Sequence, residues 1–335
     1  MKKVKVTQFG LGPIGLESLR FAAQQPWIEI VGAVDNDPAK AGRSLAEFTG
    51  LGSLDGLRVS PTLEAAFRDT QPDVILHTAT SRARATLEQL RPALEFGVSV
   101  ASTCEELIFP ALTVPDLFDE YHALCRHTGA RVVATGVNPG FAMDLLPICL
   151  TGVCQSVDRI KVQRIVNATT GRRPLQAKIG CGQEPDVFRA KVRAGRAGHA
   201  GLRESLALVA HAMGWTLDSI DEICEPVIAE TKIETNYFTV NIGQVCGIHQ
   251  QAKGILAGVE KISLDLQLYL NAPTPRNTIE ITGRPSLKLA IDGGIAGDEA
   301  TIAALVNVVP RLLAAPPGIR LLTELGAPGI AGRTI

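Results

Sequence analysis

The stretch Val4–Gly15, VKVTQFGLGPIG, decides the fold. An alternating β-branched run ends at Gly10, and Gly12 and Gly15 complete a G-x-G-x-x-G spacing. Pro13 and Ile14 stand between the last two glycines, where proline suits the first turn of a helix. In a chain with 32 glycines the spacing alone says little. Its context says more. A strand precedes it, the helical pattern Pro13–Gln24 follows, and the next strand, IEIVGAVD, ends in Asp35, twenty residues past Gly15. In such a turn Gly10 permits the sharp bend, Gly12 lets backbone approach a pyrophosphate, and Gly15 allows close helix–strand packing. The helix N-terminus then faces phosphate. Asp35 is placed to accept hydrogen bonds from the adenine ribose, which favours NAD; Lys40 and Arg43 follow and would suit the 2′-phosphate of NADP.

Working outward, short apolar runs continue to alternate with helical patterns. Helices are expected around Ala39–Phe48, Leu63–Phe67, Ala83–Phe96 and Asp116–Thr128. Strands are expected at DVILHTAT (73–80), VSVAS (98–102) and ARVVATG (130–136). This predicts a doubly wound α/β Rossmann sheet. Thr78, Thr80 and Ser81 would lie at its carboxyl edge, where open α/β sheets bind ligands, and small hydroxyl residues suit a nicotinamide ribose. Helix capping is the plainer role for them.

After GVNPGFAMD (136–144) the pattern changes to longer alternating strands, as in KISLDLQLYL (261–270), with a Gly- and Arg-rich stretch leading into a helix near Ser205–Met213. The expected organisation is a dinucleotide-binding domain over 1–140, an α+β substrate and dimerisation domain with an open or antiparallel sheet over 141–300, and a C-terminal helix broken at Pro310 with a tail over 301–335, packing back on the first domain. The chain has 335 residues, which suits two domains. Its 33 basic and 34 acidic residues nearly cancel, which argues against a nucleic-acid partner reached by bulk charge. No apolar run is long enough to span a bilayer. The opening MKKVKVTQFG has no continuous apolar h-region, and the seven scattered cysteines show neither paired nor metal-ligand spacing. A cytoplasmic chain with no metal is expected.

VSVASTCEELIFP (98–110) raises a chemical question, because a strand hands over to two adjacent acids. Thr103 with Glu106 fits a capping box, and Ser102 with Glu105 fits the same box one residue earlier. Only one acid can serve, so the other is left at the sheet's carboxyl edge. With Thr103 as the cap, Glu105 is the one left over for chemistry.

Taken together, FGLGPIG, STCEELIFP, TGVNPGFAMD, GHAGLRES and the late GDEAT…APPGI resemble 2,4-diaminopentanoate dehydrogenase and the native amine dehydrogenases, in order and over nearly the whole chain. The first motif is generic; the paired acids, NPGF and GHxGLxES are more specific. These proteins share an N-terminal domain similar to dihydrodipicolinate reductase, but His122 and His127 are isolated and nothing here matches that reductase's HHxxK motif. The resemblance implies a reversible, NAD(P)-dependent oxidative deamination, in which a small amine yields a ketone or aldehyde and ammonia by way of an iminium. A carboxylate must then move protons and can stabilise the cation. The resemblance places that role on Glu105 first and Glu106 second. It also puts His199 of GHAGLRES near the substrate and implies a homodimer. Asn138 is a candidate for the nicotinamide carboxamide and Phe141 for a substrate wall, although N-P-G is also an ordinary turn. Thr170, with Asn167 and Thr169, is a weaker candidate for the pocket, and Arg172 and Arg173 fit a solvated turn better than a carboxylate site. Two rivals stand beside this reading: an amino-acid dehydrogenase of the dihydrodipicolinate reductase type, and a regulator that senses NAD(H) without turnover.

Overall fold

The structure is a computed structural model and describes residues 3–68 and 70–331; residues 332–335 of the expected tail lie outside it. Among the described residues the strands follow as β1 (Val4–Phe9), β2 (Ile28–Val34), β3 (Val59–Ser60), β4 (Val74–His77), β5 (Ser99–Ser102), β6 (Arg131–Ala134), β7 (Ser156–Asn167), β8 (Ser219–Ile228), β9 (Ile233–Glu234), β10 (Thr239–Val240), β11 (Val245–Leu256), β12 (Val259–Tyr269), β13 (Arg276–Arg284), β14 (Leu287–Asp292) and β15 (Gly318–Arg320). The chain forms two compact units, one of Met1–Gly140 with Ala296–Ile335 and the other of Phe141–Ile295.

The first unit holds a seven-stranded sheet in the order β15-β6-β5-β4-β1-β2-β3, with every pair parallel. This is the Rossmann order, and it reverses between β1 and β4, which opens a crevice at their carboxyl ends. The central strands read as apolar runs because both faces are covered; all four residues of β4 and of β5 are buried. Helix Pro13–Ala23 buries Gly15, Ser18, Leu19 and Ala22, one stripe at helical spacing. Leu19 is fully buried, a contribution of about 2 kcal/mol.

Two expectations need correcting here. The helix foreseen over Ala39–Phe48 is a turn followed by the short helix Leu45–Thr49, capped by Ser44 in a capping box with Glu47. Local side-chain bonds of Ser and Asp compete with the helix in this polar stretch. The C-terminal segment is helix Gly297–Asn307, then Val309–Ala314, and what was read as a tail forms strand β15, paired with β6 from Gly318↔Arg131. Three residues are too few to show a period, so pairing rather than pattern defines this strand.

The second unit has a six-stranded sheet, β14-β13-β7-β12-β11-β8. It is mixed, since β7 and β12 run parallel while the other pairs are antiparallel. Helix Leu202–Ala212 covers one face, with Leu202, Leu206, Leu208 and Val209 buried. The opposite face is polar, and Asp265 there accepts from His249 (3.0 Å), Gln251 (2.6 Å) and Gln267 (3.0 Å). Within this unit two of the quoted motifs are joined. The fully buried Asp144 of NPGFAMD accepts from Ser205 Oγ of GHAGLRES at 2.7 Å and from the Leu145 N–H at 2.6 Å. No helix among the described residues is long and apolar enough to cross a membrane.

Candidate active site

Gly10 has φ +89°, and a Cβ there would meet the Ala79 backbone at 3.1 Å, so the turn lies against the end of β4. A Cβ on Gly15 would stand 1.9 Å from Gly10 O and 2.6 Å from Thr78 Oγ1. Gly12 is the opposite case: a Cβ there would meet nothing within 4 Å, and helix Pro13–Ala23 has no side-chain cap. An uncapped helix N-terminus beside an open glycine fits a pyrophosphate. The turn is fastened by side chains. Thr78 Oγ1 donates to Gly10 O (3.0 Å) and accepts from Gln8 Nε2 (2.9 Å), which also donates to Gly10 O (3.1 Å). The Thr78 hydroxyl therefore holds the glycine turn. Gln8 was missed by sequence reasoning; its signal is an amide inside a buried strand.

A cleft of about 370 Å³ opens here, lined by Gly10, Gly12, Asp35, Asn36, Thr78 and Ala79, with Pro61, Leu63 and Pro92 as apolar walls that suit an adenine ring. Asp35 is 8% exposed, and its Oδ2 accepts from the Leu11 N–H (2.7 Å) and Lys40 Nζ (2.9 Å), while Oδ1 accepts from the Asp37 N–H (2.9 Å). Burial pushes this carboxyl up, but the Lys40 bond and the two N–H groups outweigh it and hold it below the usual range. A carboxylate offers about four lone-pair sites, so capacity remains for a ribose hydroxyl. Arg43 is engaged elsewhere, bonding Glu47 through two nitrogens (2.9 and 2.8 Å) and stacking on Phe48.

The paired acids sit on a short 3-10 turn, Glu105–Ile108, directly after β5. The expected capping box is absent, because this turn has no side-chain cap and Thr103 Oγ1 points to His77 O at 3.5 Å. A four-residue turn offers too little helix to cap. Glu106 instead caps a different helix, Ala83–Glu95: its Oε2 accepts from the Ala83 N–H (2.8 Å) and its Oε1 from Arg82 (2.5 Å). Glu105 is the half-buried neighbour on the same turn. Thr80 Oγ1 accepts from the Arg82 N–H (3.2 Å) within its own turn, and Ser81 O accepts from the Glu106 N–H (3.3 Å), which ties the segment after β4 to the acid turn. Cys104 is no nucleophile there, since burial pushes its thiol up to about 12.

His77, at the end of β4, is fully buried between Ser102 Oγ (2.8 Å from Nδ1) and Gln89 Oε1 (3.5 Å from Nε2), and Ser102 Oγ accepts from the Cys104 N–H at 3.0 Å. Burial lowers its pKa from 6.5 to about 4. As pH falls from 6.5 to about 4 the unfolded chain takes up this proton and the folded chain does not. Stability should therefore drop across that window by roughly 3 kcal/mol. Urea unfolding at pH 7 and pH 5 should show a smaller difference in His77→Gln than in the parent chain.

Asn138 lies in the loop after β6, where the Val137 N–H donates to Thr301 Oγ1 (3.2 Å) and a Cβ on Gly140 would strike Gly136 N at 2.4 Å. In the second unit Phe141 is half-buried, and its carbonyl accepts from the Leu146 N–H at 2.8 Å. Thr170 stands in a loop organised by buried Gln176, whose Nε2 reaches the carbonyls of Ala168 (3.1 Å), Thr169 (3.0 Å) and Gly171 (2.9 Å). His199 stands in a loop between Gly198 and Gly201, held to the sheet through its backbone. Gln176 and Gln250, which hold these loops, carried no motif signal, and Gln250 lies far in sequence from His199. No group of three or more His, Cys, Asp or Glu side chains that could bind a metal occurs among the described residues.

A parallel sheet in this order, an open glycine beside an uncapped helix and a buried acid just after β2 make a dinucleotide site, and the dehydrogenases to which the chain is similar make it an oxidoreductase that uses a nicotinamide cofactor. Comparison with known proteins narrows the class. Residues 141–333 match the family model described as the 2,4-diaminopentanoate dehydrogenase C-terminal domain, and the chain belongs to that family. It is 29% identical to a 2,4-diaminopentanoate dehydrogenase from Acetoanaerobium sticklandii, over 98% of this chain and 95% of that protein. The solved structure of an amine dehydrogenase from Mycobacterium smegmatis superposes with a TM-score of 0.86 at 26% identity, covering 97% of each chain. A dihydrodipicolinate reductase from Paenisporosarcina sp. TG-14, at 12% identity and a TM-score of 0.54 over 96% of this chain and 99% of that one, shares the fold.

Proposed function

We propose that the chain is an NAD(P)-dependent amine dehydrogenase, interconverting a small amine with its ketone or aldehyde and ammonia. One observation carries the reading. Of the two acids at the carboxyl edge of the sheet, Glu106 is committed to a helix N-terminus, and Glu105 stands beside it on the turn after β5. The named functions of the relatives support the same reaction class.

A nicotinamide held at this edge would supply the hydride chemistry. The chain supplies the rest. Gly10, Gly12 and Gly15 shape the phosphate turn, and Pro13 and Ile14 start the helix that faces it. Asp35 is assigned the adenine ribose. Lys40, already 2.9 Å from Asp35, is the one cation of that loop positioned for a 2′-phosphate, so NAD is favoured with NADP as an alternative. Glu105 takes a proton from the amine nitrogen and passes it to solvent before the hydride leaves carbon. It then takes a proton from the water that adds to the iminium, gives it to the departing nitrogen, and takes the hydroxyl proton as ammonia leaves and C=O forms. The reverse direction retraces these transfers. Phe141, Thr170 and His199 are assigned to the substrate and Asn138 to the nicotinamide. The polar face of the second sheet is assigned to pairing with a second copy.

A ketone panel in ammonium buffer, followed with NADH and with NADPH, tests this reading. Consumption should require both ammonium and a short ketone or aldehyde, with NADH equal to or better than NADPH. Cofactor binding without consumption would favour the sensor instead.

A further inference from the structure

The loop that carries His199 is held by a buried side-chain device. Gln250, on β11 and 4% exposed, meets both backbone groups of His199: the His199 N–H donates to Oε1 at 2.8 Å, and Nε2 donates to His199 O at 2.8 Å. The second hydrogen of Nε2 goes to Glu222 Oε1 on the adjacent strand β8, again at 2.8 Å. An ionised carboxylate only accepts, so it can meet only the NH2 end of the amide. Glu222 thereby sets which way Gln250 faces, and Gln250 in turn presents an acceptor to the His199 N–H and a donor to its carbonyl. Burial pushes the Glu222 carboxyl up, while the Gln250 bond and the charge of Arg203 pull it back. On either side of the held residue, Gly198 (φ +96°) and Gly201 (φ +99°) adopt left-handed backbone. A Cβ on Gly198 would stand 3.3 Å from Cys224 Sγ and 3.5 Å from Gln250 Oε1, so the loop lies directly on the sheet.

We infer that Gln250, oriented by Glu222, is a positioning residue that sets the place of His199 for substrate recognition. The inference rests on the assignment of His199 to the substrate. A fully satisfied buried polar network specifies one geometry, and this one is aimed at a single loop residue. The peptide groups on both sides of the His199 Cα are fixed, and with them the direction in which its imidazole leaves the chain. Gln250 acts on the substrate only through His199.

The test is a double-variant cycle on the full chain, with pentan-2-one and ammonium as substrates. Gln250→Leu should raise KM for pentan-2-one about tenfold, the equivalent of one hydrogen bond. It should leave kcat and the affinity for NADH unchanged, and His199 amide exchange should lose its protection. His199→Ala should raise KM by a similar factor, and the double variant should be no worse than His199→Ala alone. Glu222→Gln, whose amide can meet either end of the Gln250 amide, should raise KM by a smaller factor than Gln250→Leu, and an unchanged KM there would overturn the orienting part of Glu222. Should the leucine variant fail to fold, Gln250→Glu serves, since it sets an acid against Glu222 and against the His199 carbonyl, and the same KM rise is expected. Additive effects in the double variant, or an unchanged KM in a folded Gln250 variant while His199→Ala raises it, would overturn the inference alone. An unchanged KM in His199→Ala would remove the assignment of His199 itself, and the inference with it.

Discussion

Glu105→Gln should lower turnover by roughly 10²–10⁴, the usual contribution of a general acid–base group, while NADH still binds with its parent affinity. The amide keeps the size of the side chain and removes its negative charge and its ability to exchange a proton. Glu106→Gln should behave differently. Its carboxylate accepts from the Ala83 N–H and from Arg82, so the amide would weaken the start of helix Ala83–Glu95 and lower the melting temperature. Loss of such a cap costs about 1 kcal/mol, and turnover at low temperature should persist. Stopped-flow rates together with thermal melts on the two variants separate the roles. Full turnover in Glu105→Gln with loss in Glu106→Gln would reverse the assignment, and full turnover in both would remove it.

The second large effect belongs to Gly15. Alanine there places a Cβ 1.9 Å from Gly10 O and 2.6 Å from Thr78 Oγ1, and the first contact is with backbone that has no rotamer to change. The helix must move away from the glycine turn, and the Gln8–Thr78–Gly10 bonds that hold the turn open up with it. Quenching or enhancement of bound NADH fluorescence should show affinity weakened more than tenfold, by analogy with the one to three kcal/mol that overpacking costs. Gly12→Ala is the control, since its Cβ enters open space. It should leave the fold intact and affect only affinity for the dinucleotide.

The parts legible in the sequence are those written in local spacing. The glycine turn, the helix stripe Gly15–Ser18–Leu19–Ala22 and the acid closing β2 lie within about thirty residues of one another, and the chain's own periodicity declares them. The parallel doubly wound sheet followed from the alternation of strand and helix, whereas the adjacency of β1 and β4 came only with the strand order. What escaped is what depends on distant partners. Gly318–Arg320 becomes a strand only by pairing with Arg131–Val133. The paired acids look like a capping box for their own turn, yet Glu106 caps a helix that begins 23 residues earlier, and no local pattern announces that. Gln8 and Gln250 read as ordinary amides, yet Gln8 reaches Thr78, 70 residues on, and Gln250 holds His199, 51 residues earlier. The surface helix foreseen over Ala39–Phe48 gave way to Asx and capping-box bonds at Asp37 and Ser44, where side chains outcompete the helix.

The most direct test of the central claim is a nitrogen balance. The chain, NADH and pentan-2-one are incubated with ¹⁵N-ammonium, and the product is examined by mass spectrometry and NMR while NADH is followed by absorbance. ¹⁵N-labelled 2-aminopentane should form one for one with NADH consumed, and Glu105→Gln should lose nearly all of that product. Pentan-2-ol in place of the labelled amine, or an undiminished yield of amine from Glu105→Gln, would contradict that claim.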